Sequence, residues 1–293
     1  MAIGWKLYLQ NGKFEEKEME ERAKEKITGE ESIKIVQDHY NAAVEVEWER
    51  IVDKPEFLLT CRMLDKYIKP GDSVLDIGGG PGRYSFYFAE KGCDVTLFDL
   101  SPENISFAEK HSLETGINVK AICGDARIAD DLVDGQFDHV LLMGPLYHLL
   151  EDIDRVKTVY AALELLKPGG LLYAAFISMS GGLVFGLRDV PEQFADPHED
   201  RFLIPLVEGG SFGGSAFTQA FFINQHEVLP FMRQFRLEKL HLFGQESVLA
   251  PNVHKFMEQP QEVKDAMLDI AEKLCEKEEY LSWSEHIMHI GRK

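Results

Sequence analysis

The chain has 293 residues, of which 45% are hydrophobic and 28% charged, a balance typical of a folded chain and not of a disordered or low-complexity one. Thirty-one lysines and arginines stand against fifty acidic residues, and the formal charge of −19 disfavours a nucleic-acid substrate, because so acidic a surface repels phosphate backbones. No uncharged apolar run approaches the roughly 18 residues of a membrane-spanning helix, and the first residues lack the basic-then-apolar pattern of a secretion signal, so we expect neither.

The four cysteines, Cys61, Cys93, Cys123 and Cys275, lie far apart in the sequence and form no C-x-x-C pair. A disulfide framework or a zinc cage would need cysteines at short, regular spacings. We therefore expect no bound metal, and a reducing, cytoplasmic environment is the simplest expectation.

The N-terminal region is predicted to be helical. Residues 12–31 interleave Lys and Glu, which indicates either a solvated helix or a mobile arm. Apolar residues then recur at helical spacing and predict one helix over Ser32–Arg50 and another over Pro55–Ile68. We assign residues 1–55 to a helical arm or lid and residues 56–293 to the core of the protein.

Beyond Gly71, short apolar runs alternate with helical stretches. The predicted strands are Ser73–Ile77, Asp94–Leu100, Val119–Cys123, His139–Met143 and Leu171–Ile177. The predicted helices between them are Arg83–Lys91, Pro102–Glu114 and Asp154–Leu166. This alternation is typical of βαβ units, and it predicts a doubly wound α/β fold, with a parallel sheet between two layers of helices.

The segment 181–222 interrupts this alternation. It contains seven phenylalanines and seven glycines without a clear period, so it is interpreted as an insertion after the fifth strand. Either the insertion hangs over the ligand crevice and supplies an apolar wall, or its rings simply pack onto the core. Regular structure is expected to resume with a helix, a strand, a helix and a final strand, at Gln225–Gln234, Leu237–Phe243, Gln261–Glu278 and His286–Ile290.

A glycine loop follows the first predicted strand directly. Its glycines, Gly78, Gly80 and Gly82, form a G-x-G-x-G pattern, and an acid, Asp76, precedes the first glycine by two residues. Glycines let the backbone approach a ligand closely, and the helix that begins after the loop offers free N–H groups. A dinucleotide fingerprint would need a third glycine at Arg83, so the spacing weighs against a nicotinamide cofactor.

Two further acids follow the next two strands. Asp99 closes the second predicted strand, where a carboxylate either accepts hydrogen bonds from ribose hydroxyls or caps the helix that begins at Pro102. Asp125 follows the third strand, where it either reads a base edge or is an ordinary turn residue. Carboxyl ends of parallel strands meet at one edge, so these acids and the glycine loop are expected to share one crevice.

These motifs together resemble the class I S-adenosylmethionine-dependent methyltransferases, over about residues 40–293. Three further motifs carry the resemblance, namely Phe137–Val140, Met143–Leu149 and Leu166–Gly170. The resemblance implies a Rossmann-like, seven-stranded sheet whose last strand, His286–Ile290, runs antiparallel. It also implies S-adenosyl-L-methionine as cofactor, S-adenosylhomocysteine as product, and an N-terminal lid of the kind found in small-molecule members.

The resemblance also implies where the methionine and ribose parts of the cofactor bind. Gly78, Gly80 and Gly82 would line these parts. Asp99 would bind the ribose hydroxyls, and Leu100 would pack on the adenine.

The remaining cofactor contacts are implied at four other positions. Asp125 would accept a hydrogen bond from the adenine amino group, with the Ala126 amide on a ring nitrogen. Gly144 would offer its carbonyl to the methionine ammonium, and Asp76, the acid before the glycine loop, belongs to the same cofactor-binding set.

His148 and Tyr147 are the candidate catalytic residues, because they follow the fourth strand and should face the transferred methyl group. His148 is either a general base or a histidine that only orders the loop. Tyr147 either shapes the acceptor site or packs against its neighbours.

The sequence favours a methyltransferase that acts on a small molecule, and the phenylalanines of the insertion favour an apolar or aromatic one. The alternatives are a methyltransferase acting on RNA or protein, and a nucleotide-binding module or NAD-dependent dehydrogenase on a similar sheet. The acceptor, the element that is methylated (O, N, S or C) and the oligomeric state stay open.

Overall fold

The structure, a computed structural model, describes residues 29–293, so most of the charge-rich stretch 12–31 lies outside the described residues. Nine strands form one sheet. They are β1 (Ser73–Ile77), β2 (Asp94–Asp99), β3 (Lys120–Cys123), β4 (Phe137–Leu142), β5 (Leu166–Ser178), β6 (Phe212–Ser215), β7 (Gln219–Ile223), β8 (Glu238–Gly244) and β9 (His286–Arg292).

Seven of these strands form the predicted sheet, in the order β3-β2-β1-β4-β5-β9-β8. Strands β1 to β5 pair in parallel, and β9 runs antiparallel to both β5 and β8. The predicted doubly wound sheet with an antiparallel last strand is therefore confirmed. The hairpin β6–β7 adds two strands that were not predicted, because β7 pairs with the carboxyl end of β5 at Ile177 and Ser178.

Thirteen α-helices accompany the sheet within the described residues. They are α1 (Gly29–Ala42), α2 (Val44–Arg50), α3 (Pro55–Leu64), α4 (Arg83–Glu90), α5 (Pro102–Thr115), α6 (Ala129–Leu132), α7 (Asp152–Glu164), α8 (Met179–Asp189), α9 (Asp200–Glu208), α10 (Gln225–Met232), α11 (Val253–Met257), α12 (Gln261–Leu274) and α13 (Glu278–Leu281). Short 3₁₀ turns are Ala126–Ile128, Pro145–Tyr147, Pro191–Ala195, Pro197–Glu199 and Ser247–Asn252. Among the described residues, no helix combines the length and the apolar character needed to cross a membrane.

Successive residues of each strand enter opposite faces of the sheet, and both faces are covered by helices. Val74 and Leu141 belong to one buried cluster, to which α3, α4, α5 and α12 contribute. Leu75 and Val140 belong to a second cluster with α7 and α10. Because both faces are buried, the strands are continuously apolar, which is why they could be recognised in the sequence.

Two long helices predicted from the sequence are interrupted in the structure. The helix predicted over Ser32–Arg50 is divided at Ala43, whose ψ of 13° leaves the helical region between α1 and α2. The helix predicted over Gln261–Glu278 ends at Leu274, and a single turn, α13, follows it.

The insertion after β5 is more regular than the sequence suggested. It begins with α8, continues through α9 and ends in the hairpin β6–β7. Phe202, Phe212 and Phe222 form a cluster with ring centroids 5.4 to 6.2 Å apart. These residues are far apart in sequence. Their packing therefore orders the segment without producing a periodic pattern of apolar residues along it.

Candidate functional site

A cavity opens at the carboxyl ends of the parallel strands, between the sheet and helix α1. Ten of the eleven candidate residues line it, namely Asp76, Gly78, Gly80, Asp99, Leu100, Asp125, Ala126, Gly144, Tyr147 and His148. The structure thus brings together residues that come from four successive strand ends, as expected for an open parallel sheet.

Gly82 is the candidate that does not line the cavity. A Cβ at this position would lie 3.2 Å from side-chain atoms of Leu97 and Phe86. A side chain here would therefore point towards the core. Gly82 adopts φ of 95° at the start of α4, a conformation that favours glycine. The first glycine is required for a different reason, because a Cβ on Gly78 would lie 2.4 Å from the Pro145 ring.

Asp99 is buried and accepts three hydrogen bonds within the protein. Its Oδ2 accepts from the Gly80 amide at 2.8 Å, and its Oδ1 accepts from the Ser101 amide at 2.9 Å and the Asn104 side chain at 3.0 Å. Burial raises its pKa, although these donors favour the ionised form. Asp99 therefore organises the glycine loop and the start of α5 as well as facing the cavity.

Asp76 is fully buried beneath the glycine loop. Its Oδ2 accepts from the Ser85 hydroxyl at 2.7 Å, but its Oδ1 has no hydrogen-bond partner in the described part of the chain. Burial raises the pKa of this carboxyl to about 7. A buried oxygen without a partner in the wall of a cavity indicates a ligand group that donates a hydrogen bond there.

Asp125 and Ala126 begin the 3₁₀ turn after β3. The Asp125 carboxylate pairs with Arg127, whose Nη2 lies 2.6 Å and whose Nε lies 3.0 Å from Oδ2. Arg127 also donates to Glu30 of α1 at 2.9 Å, and its hydrogen bonds to Asp125 first and then to Glu30 raise the pKa of the guanidinium. The turn is thus fixed before any ligand binds.

Gly144 lies where β4 meets the glycine loop. A Cβ at this position would be only 2.7 Å from the carbonyl oxygen of Gly78, so the two backbones approach too closely for a side chain. The Gly144 carbonyl accepts from the Tyr147 amide at 3.3 Å, a long bond that leaves it able to accept another donor.

His148 is buried, and both of its ring nitrogens are hydrogen-bonded. Its Nδ1 lies 3.0 Å from the Gln219 carbonyl oxygen, and its Nε2 lies 2.7 Å from the Tyr40 hydroxyl. Because a carbonyl only accepts, Nδ1 carries the proton and Nε2 accepts from Tyr40. Burial lowers the pKa of His148 to about 4 and raises that of Tyr40 well above its usual value.

Tyr147 packs between two histidines. Its ring centroid lies 4.9 Å from that of His148 and 6.1 Å from that of His286. Its hydroxyl donates to the Met143 carbonyl at 3.0 Å, and burial raises its pKa. The hydroxyl is thus occupied, and the ring is the part that shapes the cavity.

Helix α1 covers the cavity through residues whose roles the sequence did not show. Gln37 donates to the Leu100 carbonyl at 3.0 Å, and Asn41 accepts from the Ser101 hydroxyl at 2.6 Å. With Tyr40 they occupy positions i, i+3 and i+4, which share one helix face. The spacing of these polar residues on one face of α1 was the sequence signal that could have identified them.

Arg83 occupies the position at which a dinucleotide fingerprint has its third glycine. Its guanidinium lies 3.6 Å from the centre of the Trp48 ring, and its Nε donates to the Trp48 carbonyl at 3.0 Å. Arg83 therefore anchors α2 to the start of α4.

A cluster of charged side chains lines part of the cavity, and no motif predicted it. Arg50 contacts Glu47 at 2.9 Å and Glu56 at 3.0 Å, and His286 Nδ1 contacts Glu246 at 2.6 Å. Although burial opposes the charge, Glu56 and Glu246 raise the pKa of His286 to about 9.

None of the seven phenylalanines of the insertion lines the cavity. Phe202, Phe212 and Phe222 pack on one another, whereas Phe185 and Phe217 are 45% and 52% exposed, so an apolar wall for the acceptor stays a prediction. The insertion contacts the site through the Gln219 carbonyl and through Phe217, whose ring lies 5.8 Å from that of His148.

Residues 74–170 match the family described as methyltransferase domain. Over 114 residues the chain is 38% identical to the ubiquinone biosynthesis O-methyltransferase of Xanthomonas campestris pv. campestris (strain B100), covering 37% of this chain and 44% of that relative. Over 113 residues it is 41% identical to the ubiquinone biosynthesis O-methyltransferase of Xylella fastidiosa (strain 9a5c), covering 37% of this chain and 43% of that relative. The chain thus spans less than half the length of these curated relatives.

The fold is similar to that of a Burkholderia thailandensis 1,6-didemethyltoxoflavin-N1-methyltransferase crystallised with 1,6-didemethyltoxoflavin and S-adenosylhomocysteine. The TM-score is 0.58 at 15% identity, and the match covers 92% of this chain and 91% of that one. The matched domain contains the glycine loop and both acids after it. Residues 74–170 therefore carry a methyltransferase domain, within a fold similar to that of this solved methyltransferase.

Proposed function

We propose that the protein is an enzyme that transfers the methyl group of S-adenosylmethionine to a small-molecule acceptor. The observation that carries the proposal is the unpartnered, fully buried Oδ1 of Asp76 in the wall of a cavity that Gly78, Asp99 and Ala126 also line. A cofactor with an ammonium group, ribose hydroxyls and an adenine ring offers donors and flat apolar surface suited to these residues.

Except for Gly82, which does not line the cavity, the cofactor residues predicted from the sequence keep their assignments as part of this proposal. The Gly144 carbonyl would accept from the methionine ammonium, and Asp99 would accept from the ribose hydroxyls. Asp76 Oδ1 is newly proposed to accept from the same ammonium. Asp99 already accepts three hydrogen bonds, and a carboxylate has about four acceptor sites, so one ribose hydroxyl has a site of its own. The second hydroxyl would share an oxygen with an internal donor.

The end of the cavity formed by Tyr40, Tyr147, His148 and His286 is proposed to hold the acceptor. S-adenosylmethionine supplies, when bound, a methyl group that its sulfonium charge already activates. The chain then has to align the acceptor with that methyl group and exclude water. The hydrogen bonds that α1 makes across the cavity support this task, because they close the site.

His148 is proposed to act as a base through Tyr40. The acceptor proton would move to the Tyr40 oxygen while the Tyr40 proton moves to His148 Nε2, since these atoms are 2.7 Å apart. Burial lowers the pKa of His148 to about 4, so the imidazole is a weak base. The proton would therefore leave as the new bond to the methyl carbon forms, not beforehand.

Two further assignments belong to this proposal. Residues 1–55 are proposed to be a lid, supported by the contacts of Gln37, Tyr40 and Asn41 across the cavity. A cytoplasmic location is proposed because the four cysteines are free thiols, three of them buried.

The proposal is tested with S-adenosylmethionine that carries a trideuterated methyl group. The purified chain is incubated with this cofactor and a metabolite extract, and the products are examined by mass spectrometry. We expect one or more small molecules to gain a trideuteromethyl group with wild-type protein and far less with Asp76→Ala. Labelling of RNA or protein alone, or no labelling at all, would contradict the proposal.

A further inference from the structure

Gln245 and His286 lie opposite each other where β8 leaves the sheet and β9 begins. The Gln245 amide donates to the His286 carbonyl at 2.9 Å, which continues the antiparallel pairing of the two strands. Opposing residues of an antiparallel pair project from the same face, with Cβ atoms about 5 Å apart. Both residues line the cavity.

Gln245 has an acceptor atom that no group among residues 29–293 satisfies. Its Nε2 donates to the Thr60 hydroxyl at 3.0 Å, which fixes the orientation of the amide. The residue is only 3% exposed, yet its Oε1 has no hydrogen-bond partner. A buried carbonyl oxygen without a donor is costly, by about 1 to 3 kcal/mol, unless a ligand supplies the hydrogen bond.

His286 presents a donor beside this acceptor. Glu246 holds the ring in place, because its two carboxylate oxygens accept from Nδ1 at 2.6 Å and from the backbone amide at 3.0 Å. Among residues 29–293, no hydrogen bond involves Nε2. The neighbouring carboxylates keep the ring protonated by raising the pKa of His286 to about 9, so Nε2 carries a hydrogen that is available to a ligand.

The carboxylates around this pair outnumber the cations. Arg50 lies between Glu47 and Glu56, and His286 is paired with Glu246, so three carboxylates face two cations. Within the described residues, an anionic group would meet no uncompensated cation here, and burying an unpaired charge is costly. An anionic ligand is therefore disfavoured.

We propose that Gln245 and His286 form the subsite that recognises the methyl acceptor, and that the acceptor is a neutral molecule. This molecule carries an N–H or O–H group beside a carbonyl oxygen or other hydrogen-bond acceptor. The N–H or O–H group donates to Gln245 Oε1, and the neighbouring acceptor atom receives the hydrogen bond of His286 Nε2. The inference rests on the proposed function, since it names the substrate class of that site.

A divalent cation is the competing occupant of this subsite. Glu56, Glu246 and His286 each offer a ligand atom, and these atoms lie within 4.8 Å of one another. The experiment is done with and without EDTA, so that this occupant becomes an outcome of the test.

The test uses the full chain saturated with S-adenosylhomocysteine and small ring probes titrated by NMR. The probe 2-pyridone has both groups, N-methyl-2-pyridone lacks the donor, and pyrrole lacks the acceptor. We expect 2-pyridone to bind about tenfold more tightly than either of the others, as expected for one buried hydrogen bond. Gln245→Met should abolish the advantage of 2-pyridone over its N-methyl form, while the exposed control Gln234→Met should keep it.

Three outcomes would overturn the inference. The first is equal binding of the three neutral probes. The second is tighter binding of benzoate or benzylamine than of 2-pyridone, which would indicate a charged acceptor. The third is a preference that EDTA removes, which would indicate a metal. Because S-adenosylhomocysteine binding is measured first, failure of the proposed function is recognised separately from failure of this subsite.

Discussion

Replacing Tyr40 by Phe should destabilise the protein measurably, because the two residues differ only in the hydroxyl. That hydroxyl donates to His148 Nε2 at 2.7 Å, and His148 is 8% exposed. Without it, Nε2 loses its donor in a site where water has little access. We expect the free energy of unfolding to fall by about 1 to 3 kcal/mol.

Urea denaturation of the two forms, each saturated with S-adenosylhomocysteine, measures this difference. Tyr160→Phe is the matched control, since Tyr160 is 51% exposed, and it should change the free energy of unfolding by less than about 0.5 kcal/mol. A nitrogen-15 NMR spectrum of the imidazoles provides a second readout, in which wild-type His148 should carry its proton on Nδ1. Equal stability of Tyr40→Phe and wild type, or a proton on Nε2 of His148, would refute the contact between α1 and this histidine.

Three other perturbations test separate parts of the site. Asp99→Asn should weaken S-adenosylhomocysteine binding by about tenfold or more, measured by calorimetry, because it removes the charge that the ribose hydroxyls would meet; unchanged affinity would refute the ribose assignment. His286→Gln should lose about 3 kcal/mol of stability below pH 6.5 and progressively less as pH rises through 9, because the folded-state pKa of His286 is raised to about 9. A deficit that grows with pH in urea denaturation would have the wrong sign. Replacing residues 181–214 by a short linker should leave S-adenosylhomocysteine affinity within about threefold, since the cofactor motifs lie elsewhere, and should abolish acceptor turnover, since β6 supports Gln219 beside His148. Normal turnover of the trimmed protein would show that the insertion is dispensable.

The sheet and the cofactor end of the cavity could be predicted because their signals are local. Each strand is a short apolar run, and Asp76, Gly78, Asp99 and Asp125 each lie at or just beyond a strand end. The topology of a parallel sheet then brings these ends together without any further information.

The acceptor end could not be predicted, because it is assembled from distant segments. Arg50, Glu56, Glu246 and His286 come from three parts of the chain, and no spacing between them is diagnostic. The same applies to the hydrogen bond between Tyr40 and His148, which joins residues 108 positions apart. The hairpin β6–β7 was missed for a related reason, since it depends on packing against β5 and not on a pattern of its own.

The most direct test of the central claim is a calorimetric titration of the purified chain with S-adenosylhomocysteine and, separately, with NADH. The account predicts saturable binding of S-adenosylhomocysteine, weakened in Asp76→Ala, where the unpartnered carboxylate oxygen is lost. It predicts no saturable binding of NADH, because Arg83 replaces the third glycine of the dinucleotide pattern. Saturable NADH binding without S-adenosylhomocysteine binding would contradict it.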